Sequence, residues 1–276
     1  MRKRIMRACI KKCFVLFLCA HSLWSDALDE KIKNLIGERN YKVNANFIQN
    51  IFRDKSAFYA NGGINMKNVV QALKNNGLLI LKFPSPLEVQ LTFVARTSPI
   101  LLNRTINDIL SSMGYAFFNV QKADYHNGIT TLSFVFVTEH TPDLGIIMSE
   151  LEKRGISCID IKHQSAQNWE YLLEINNPQI PNARLLLANQ ALSLRDVSGQ
   201  YWLSLQTQGK MKISAQSKWY PRIVLYDRHL RILDSLLSGD SKTSVSVKIP
   251  QGVSFVMITD SNNPANLRSG INVQFD

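Results

Sequence analysis

The sequence lacks the residue patterns that mark a metal or redox centre. Its 4 cysteines and 5 histidines form no Cys-x-x-Cys and no His-x-x-x-His, so neither a zinc site nor a heavy-metal carrier is signalled. Cys9, Cys13 and Cys19 lie within the first 22 residues. Beyond them only Cys158 is left, which rules out a disulfide within the remainder of the chain. A Gly-x-Ser-x-Gly elbow, a P-loop and a Gly-x-Gly-x-x-Gly turn are also missing. No local motif therefore argues for a hydrolase or for a nucleotide cofactor, and the expectation is a protein without a cofactor that is not an enzyme. Charged residues make up only 19% of the chain and hydrophobic ones 45%, a balance that supports packed cores rather than disorder.

What the N-terminus does contain is specific. Arg2, Lys3, Arg4, Arg7, Lys11 and Lys12 precede the apolar run from Cys13 to Ala20. Ala20-His21-Ser22 then places small residues at the −3 and −1 positions of a cut after Ser22. This is the pattern of a secretory signal peptide over residues 1–22. The apolar run of about 8 residues falls far short of the ~20 that span a bilayer, so no stable membrane span is expected after cleavage. The leader holds 6 of the 32 basic residues and no acidic ones, which leaves 26 basic against 21 acidic residues, a net +5. That mild charge, on an exported chain, argues against nucleic acid as a partner. The expected location is the periplasm or the medium.

Residues 23–84 read as a small helical module. Leu28, Ile32, Leu35 and Ile36 share one helical face, Phe47, Ile48, Ile51 and Phe52 another, and Val69, Val70 and Leu73 a third behind an Asn65 cap. Pro84-Ser85-Pro86 suggests a boundary, since proline disfavours both helix and central strand. Residues 85–177 then carry an internal repeat. Leu91 to Ala95 is followed by Ser98-Pro99, a helical pattern and Gly114. Phe134 to Val137 is followed by Thr141-Pro142, a helical pattern and Gly155. The Ser-Pro and Thr-Pro pairs read as helix starts and the glycines as stops. Asn127-Gly128 between two strand patterns is a hairpin signal. The order β-α-β-β-α-β, plus one more strand, predicts a ferredoxin-like domain. In residues 178–276 short β patterns separated by turn residues predict a β-sandwich. The fold class expected is thus α+β and multi-domain, with a helical module, a ferredoxin-like middle and an all-β end.

Candidate site residues are few. Trp202, Trp219, Tyr220 and Tyr226 form the one aromatic concentration in the C-terminal part. There they fill the core, anchor a protein interface or stack on a sugar. Asp227, Asp240 and Asp260 lie in or beside turns, but not in the spaced loop that calcium requires. Cys158, in the alternating stretch Ile156 to Ile161, is a candidate free thiol whose plainer role is that of a small buried hydrophobe.

Asn40 to Phe52, Phe58-Tyr-Ala-Asn-Gly62, Val70 to Gly77, Asn168-Trp-Glu-Tyr171 and Trp219-Tyr-Pro221 together resemble uncharacterised exported proteins of epsilonproteobacteria. The resemblance implies a periplasmic or secreted multi-domain protein with no assigned activity, and it brings no catalytic residue. The function expected is non-catalytic, exerted through contacts with an envelope or secreted protein. The alternative is binding of a glycan or peptidoglycan through the C-terminal aromatics.

Overall fold

A computed structural model describes residues 27–60 and 62–276; the expected leader, with Cys9, Cys13 and Cys19, lies outside them. The fold is α+β, with strands predominating in several sheets. Helix α1 covers residues 27–36, and α2 (Glu38–Val43) and α3 (Ala45–Ile51) follow it. A two-stranded ribbon, β1 (Tyr59–Ala60) with β2 (Gly63–Ile64), precedes α4 (Met66–Asn75). Asn65 caps α4 by accepting from the Asn68 N–H, which satisfies one of the free donors of a helix start.

The first large sheet is assembled from β3 (Lys82–Ala95), β4 (Asn119–His126), β5 (Ile129–His140), β6 (Ile156–Ser165) and β7 (Asn168–Ile175). Their order is β4-β5-β3-β7-β6, and only β3 and β7 run parallel. Two helices cover one face: α5 (Pro99–Ser112) connects β3 to β4, and α6 (Leu144–Lys153) connects β5 to β6. α5 starts at its Ser-Pro pair as expected, whereas α6 starts just beyond Thr141-Pro142, with Asp143 as its cap. Ser98 accepts from the Leu101 N–H, and Asp143 accepts from those of Gly145 and Ile146.

Two details depart from the sequence reading. The first is Pro84-Ser85-Pro86, which does not interrupt the chain: β3 runs through all three residues. The ladder to β5 jumps from Lys82↔His140 to Leu87↔Thr138, so the prolines occupy an irregular stretch where no strand donor is required. Side chains on both sides of this stretch also share one core, in which Leu28, Ile32, Leu35, Val69 and Leu73 join Val89, Leu91, Phe93, Phe134 and Tyr171. The second is the extra strand. β7 folds back from β6 and inserts between it and β3, so the last strand in sequence lies inside the sheet and β6 is left at its edge.

The C-terminal part holds two further sheets: β8 (Arg184–Leu186), β10 (Gln200–Leu205), β12 (Pro221–Tyr226), β13 (Ile232–Leu237) and β15 (Phe255–Asp260) in one, and β9 (Gln190–Leu194), β11 (Gly209–Trp219), β14 (Lys242–Ile249) and β16 (Ile271–Phe275) in the other. They are ordered β13-β12-β15-β10-β8 and β14-β11-β16-β9. Their facing side chains make one core, with Leu203, Leu225 and Ile258 meeting Met211, Ile213 and Val273. β16 alternates buried and exposed residues, as a strand with one wet face must. Every residue of β15 is buried, because the outer face of its sheet is covered as well.

Candidate functional site

What covers that outer face is the start of α5, and the junction brings together two of the four aromatics. Trp202 on β10 and Tyr226 on β12 stand on either side of β15 and pack against the cluster that holds its Phe255. Their rings stack at 5.4 Å between centroids and 27° between planes. The Arg104 guanidinium of α5 lies 4.0 Å from the Trp202 ring centroid. A cation over an indole face is attracted by the ring quadrupole, by ~2 kcal/mol where water is excluded. Burial lowers the Arg104 pKa, and the carboxylate of Asp108, one turn along the helix, opposes that shift. Asp108 in turn accepts from Arg154 at the end of α6, at 2.5 and 3.1 Å. Arg154 also donates to Glu150, at 2.7 Å. A charge network thus runs from the aromatic pair across α5 to α6.

A short loop plugs the same junction. Asp227 folds residues 227–231 tightly, because its carboxylate accepts from the His229 and Arg231 N–H groups, both at 2.8 Å. The fold pushes Leu230 into a cluster with Leu101, Ile180 and Phe255, where it has no solvent exposure. Its φ of 58 is left-handed, a conformation that a bulky side chain adopts only when its surroundings enforce it. Beside it, Ser98 Oγ donates to the His229 carbonyl, and Thr97 Oγ1 lies 3.1 Å from His229 Nδ1. A hollow of about 570 Å³ opens next to the plug, with Gln179, Ser204, Gln206 and Arg228 among its walls.

Trp219 is placed elsewhere. It is fully buried in the core between the paired sheets and cannot stack on a sugar. Trp202 offers a face, but Arg104 occupies it. Tyr220 is half-buried, and its N–H donates to Asp260. Asp260 also accepts from the N–H groups of Asn262 and Asn263 and from the Asn266 side chain. Its carboxylate is therefore committed to holding a turn, as that of Asp227 is. Among the described residues no group of three acidic, histidine or cysteine side chains is close enough to share a metal ion. Cys158 is partly buried on β6, and its thiol donates weakly to the Asp160 carbonyl at 3.4 Å. Burial, reinforced by the Asp160 carboxylate, pushes the thiol up to about 12, so at neutral pH it is protonated and a poor nucleophile.

Two histidines, one of them at the junction, tie stability to pH in a defined window. Burial lowers the pKa of His229, with Arg231 and Arg228 acting in the same direction and Asp227 against it. His163, stacked on Trp169 at 4.0 Å, is lowered by burial too. A histidine with a depressed folded pKa gives stability that is present above its unfolded value and declines as pH falls through it. Thermal unfolding midpoints should therefore fall as pH is lowered from 7 toward 5, since the unfolded histidine titrates near pH 6.5. His229→Gln should flatten part of that slope. The carboxylates with lowered pKa, Asp143, Glu150 and Asp260 among them, should add a second loss only below about pH 4.5.

No family model matches the chain, and no curated protein is similar to it. Among solved structures, the pre-peptidase C-terminal domain of a collagenase from Bacillus anthracis aligns with 36% of this chain and 98% of its own, at 6% identity and a TM-score of 0.26. A β-glucosidase from Paenibacillus barengoltzii aligns with 34% of this chain and 11% of its own, at 12% identity and a TM-score of 0.21. Both likenesses are slight.

Proposed function

We propose that this chain is a non-catalytic exported protein, periplasmic or secreted, that works by binding another protein of the envelope or the medium. In this reading residues 85–177 are a ferredoxin-like domain with one inserted strand, backed by the N-terminal helices, and residues 178–276 are a β-sandwich held to it through the junction. The junction aromatics are used internally, which leaves the partner surface to be sought elsewhere.

One observation carries the reading. β13 is the outermost strand of its sheet, and it exposes Ile232 at 60%, Leu233 at 47% and Leu237 at 70% of their surface. An edge strand has unpaired backbone donors and acceptors, and apolar side chains along it favour addition of a partner's strand. A partner captured from envelope extract in stoichiometric amount should be lost when Leu233→Asp and Leu237→Asp are combined, with the unfolding midpoint unchanged. Capture of no such partner, or equal capture by the variant, would count decisively against this surface. Export is tested separately: fractionation with N-terminal sequencing should find a chain beginning at Leu23.

A further inference from the structure

β4 is the outermost strand on one side of the five-stranded sheet, and all eight of its residues are exposed. Phe117, just before it, is 90% exposed, and Val120 and Tyr125 within it are about half exposed. Its hydrogen-bonded neighbour is β5, reached through Asn127 and Gly128, both at positive φ. In a two-residue hairpin of this kind the residues flanking the turn, here His126 and Ile129, exchange both ladder bonds. Bonded and unbonded pairs then alternate along the ladder. Asp124 and Lys122 are accordingly bonded to Thr131 and Ser133, while Ala123 and Tyr125 turn their N–H and C=O groups outward. The register shift between Val120 and Lys122 ends the regular stretch.

We propose that this outward edge pairs with the same edge of a second copy of the chain, antiparallel about a two-fold axis at Ala123. Self-pairing must match outward residues with outward residues, so the permitted registers differ by two. With Ala123 opposite Ala123 of the second copy, Lys122 faces Asp124 of that copy, and Asp124 faces its Lys122. Both are unbonded pairs, in which side chains come closest. The register on one side of this places Lys122 opposite itself; the register on the other side places Asp124 opposite itself. Like charges directly opposite are destabilising, so the charge pattern of β4 selects the central register. Neither Lys122 nor Asp124 belongs to any of the ion pairs within the described residues, so both are available to a second copy. The two-fold axis makes the contact isologous and closed, which limits assembly to a dimer. This edge is distinct from that of β13, whose preceding residue Arg231 reaches the Tyr125 hydroxyl at 3.5 Å.

Sedimentation of the purified chain from micromolar to millimolar concentration tests the proposal. The chain should pass from monomer to dimer. Lys122→Asp should weaken the dimer by about tenfold, because each of two attractive pairs becomes repulsive. Lys122→Asp combined with Asp124→Lys exchanges the charges and should restore it. Ala123→Cys in a Cys158→Ser background, treated with a short bis-maleimide, should give a cross-link that peptide mapping places between the two introduced thiols. A chain that remains monomeric throughout would overturn the proposal. So would a dimer that Lys122→Asp leaves intact, or one that the double exchange fails to recover.

Discussion

Gly155→Ala is expected to destabilise the protein by about 3 kcal/mol, which chemical denaturation should read directly. Two effects add at this position. The φ of +69 is left-handed, which alone costs an L-residue roughly 1–2 kcal/mol. A methyl group there would also lie 1.8 Å from the Asn177 carbonyl oxygen and 2.6 Å from its carbon. That backbone cannot simply move away. The Asn176 and Asn177 N–H groups donate to the Gly155 carbonyl at 3.2 and 3.1 Å, and the Gln179 N–H donates to that of Arg154 at 3.0 Å. The end of α6 thereby clasps the segment that leads into the paired sheets. Gly114→Ala is the control. Its φ of +91 is equally left-handed, but nothing lies within 4 Å of the added carbon. It should cost only the conformational part, about 1 kcal/mol. Equal losses at the two positions would show that the clasp contributes nothing.

Leu230 should give the second large effect, with an inverted order of substitutions. Leu230→Ala removes a fully buried side chain from the junction cluster and should cost about 3 kcal/mol. Glycine ordinarily costs more than alanine, since it removes one more carbon and adds freedom to the unfolded chain. At a φ of 58 that order should reverse. Glycine there relieves roughly 1–2 kcal/mol of backbone strain, so Leu230→Gly should be no worse than Leu230→Ala. The Tyr226 and Trp202 stack lies in the same cluster, so the tryptophan fluorescence should change in both variants. A Leu230→Gly protein clearly less stable than Leu230→Ala would mean that the loop is not strained at this residue.

These positions also show what could be read from sequence. Helix starts were legible because capping is local: Ser98 and Asn65 each accept a hydrogen bond from an N–H three residues on, and the Thr141-Pro142 pair lies just ahead of the true cap, Asp143. The Asn127-Gly128 turn was legible because few residues tolerate positive φ. The β patterns over residues 184–187, 201–207, 210–215, 222–226, 231–236, 244–249, 254–259 and 270–275 all correspond to strands, within a few residues at their ends, and β9 was the one missed. Its pattern is weak, with alternating half-buried and exposed residues. Pairing was not legible. Nothing local to Asn168 to Ile175 says that it lies between β3 and β6. Pro84 and Pro86 read as a break because propensity is local, whereas a long strand can carry an irregular stretch where its partner does not bond. The aromatic group was visible, but its use was not. Trp202 and Tyr226 acquire their role from Arg104 and Leu230, which lie roughly a hundred residues away from Trp202 or within an unremarkable turn, and neither carries a motif.

The inserted place of β7, between β3 and β6, bears on the order in which the chain can fold. A polypeptide emerges N-terminus first, yet β3 receives its second neighbour only once residues 168–175 are present. Until then one edge of β3 is bare, and β6 has no strand to pair with. Closing a loop that long is slow, because its entropy must be lost before any contact rewards it. The five-stranded sheet therefore stays unfinished until residue 175 has been made.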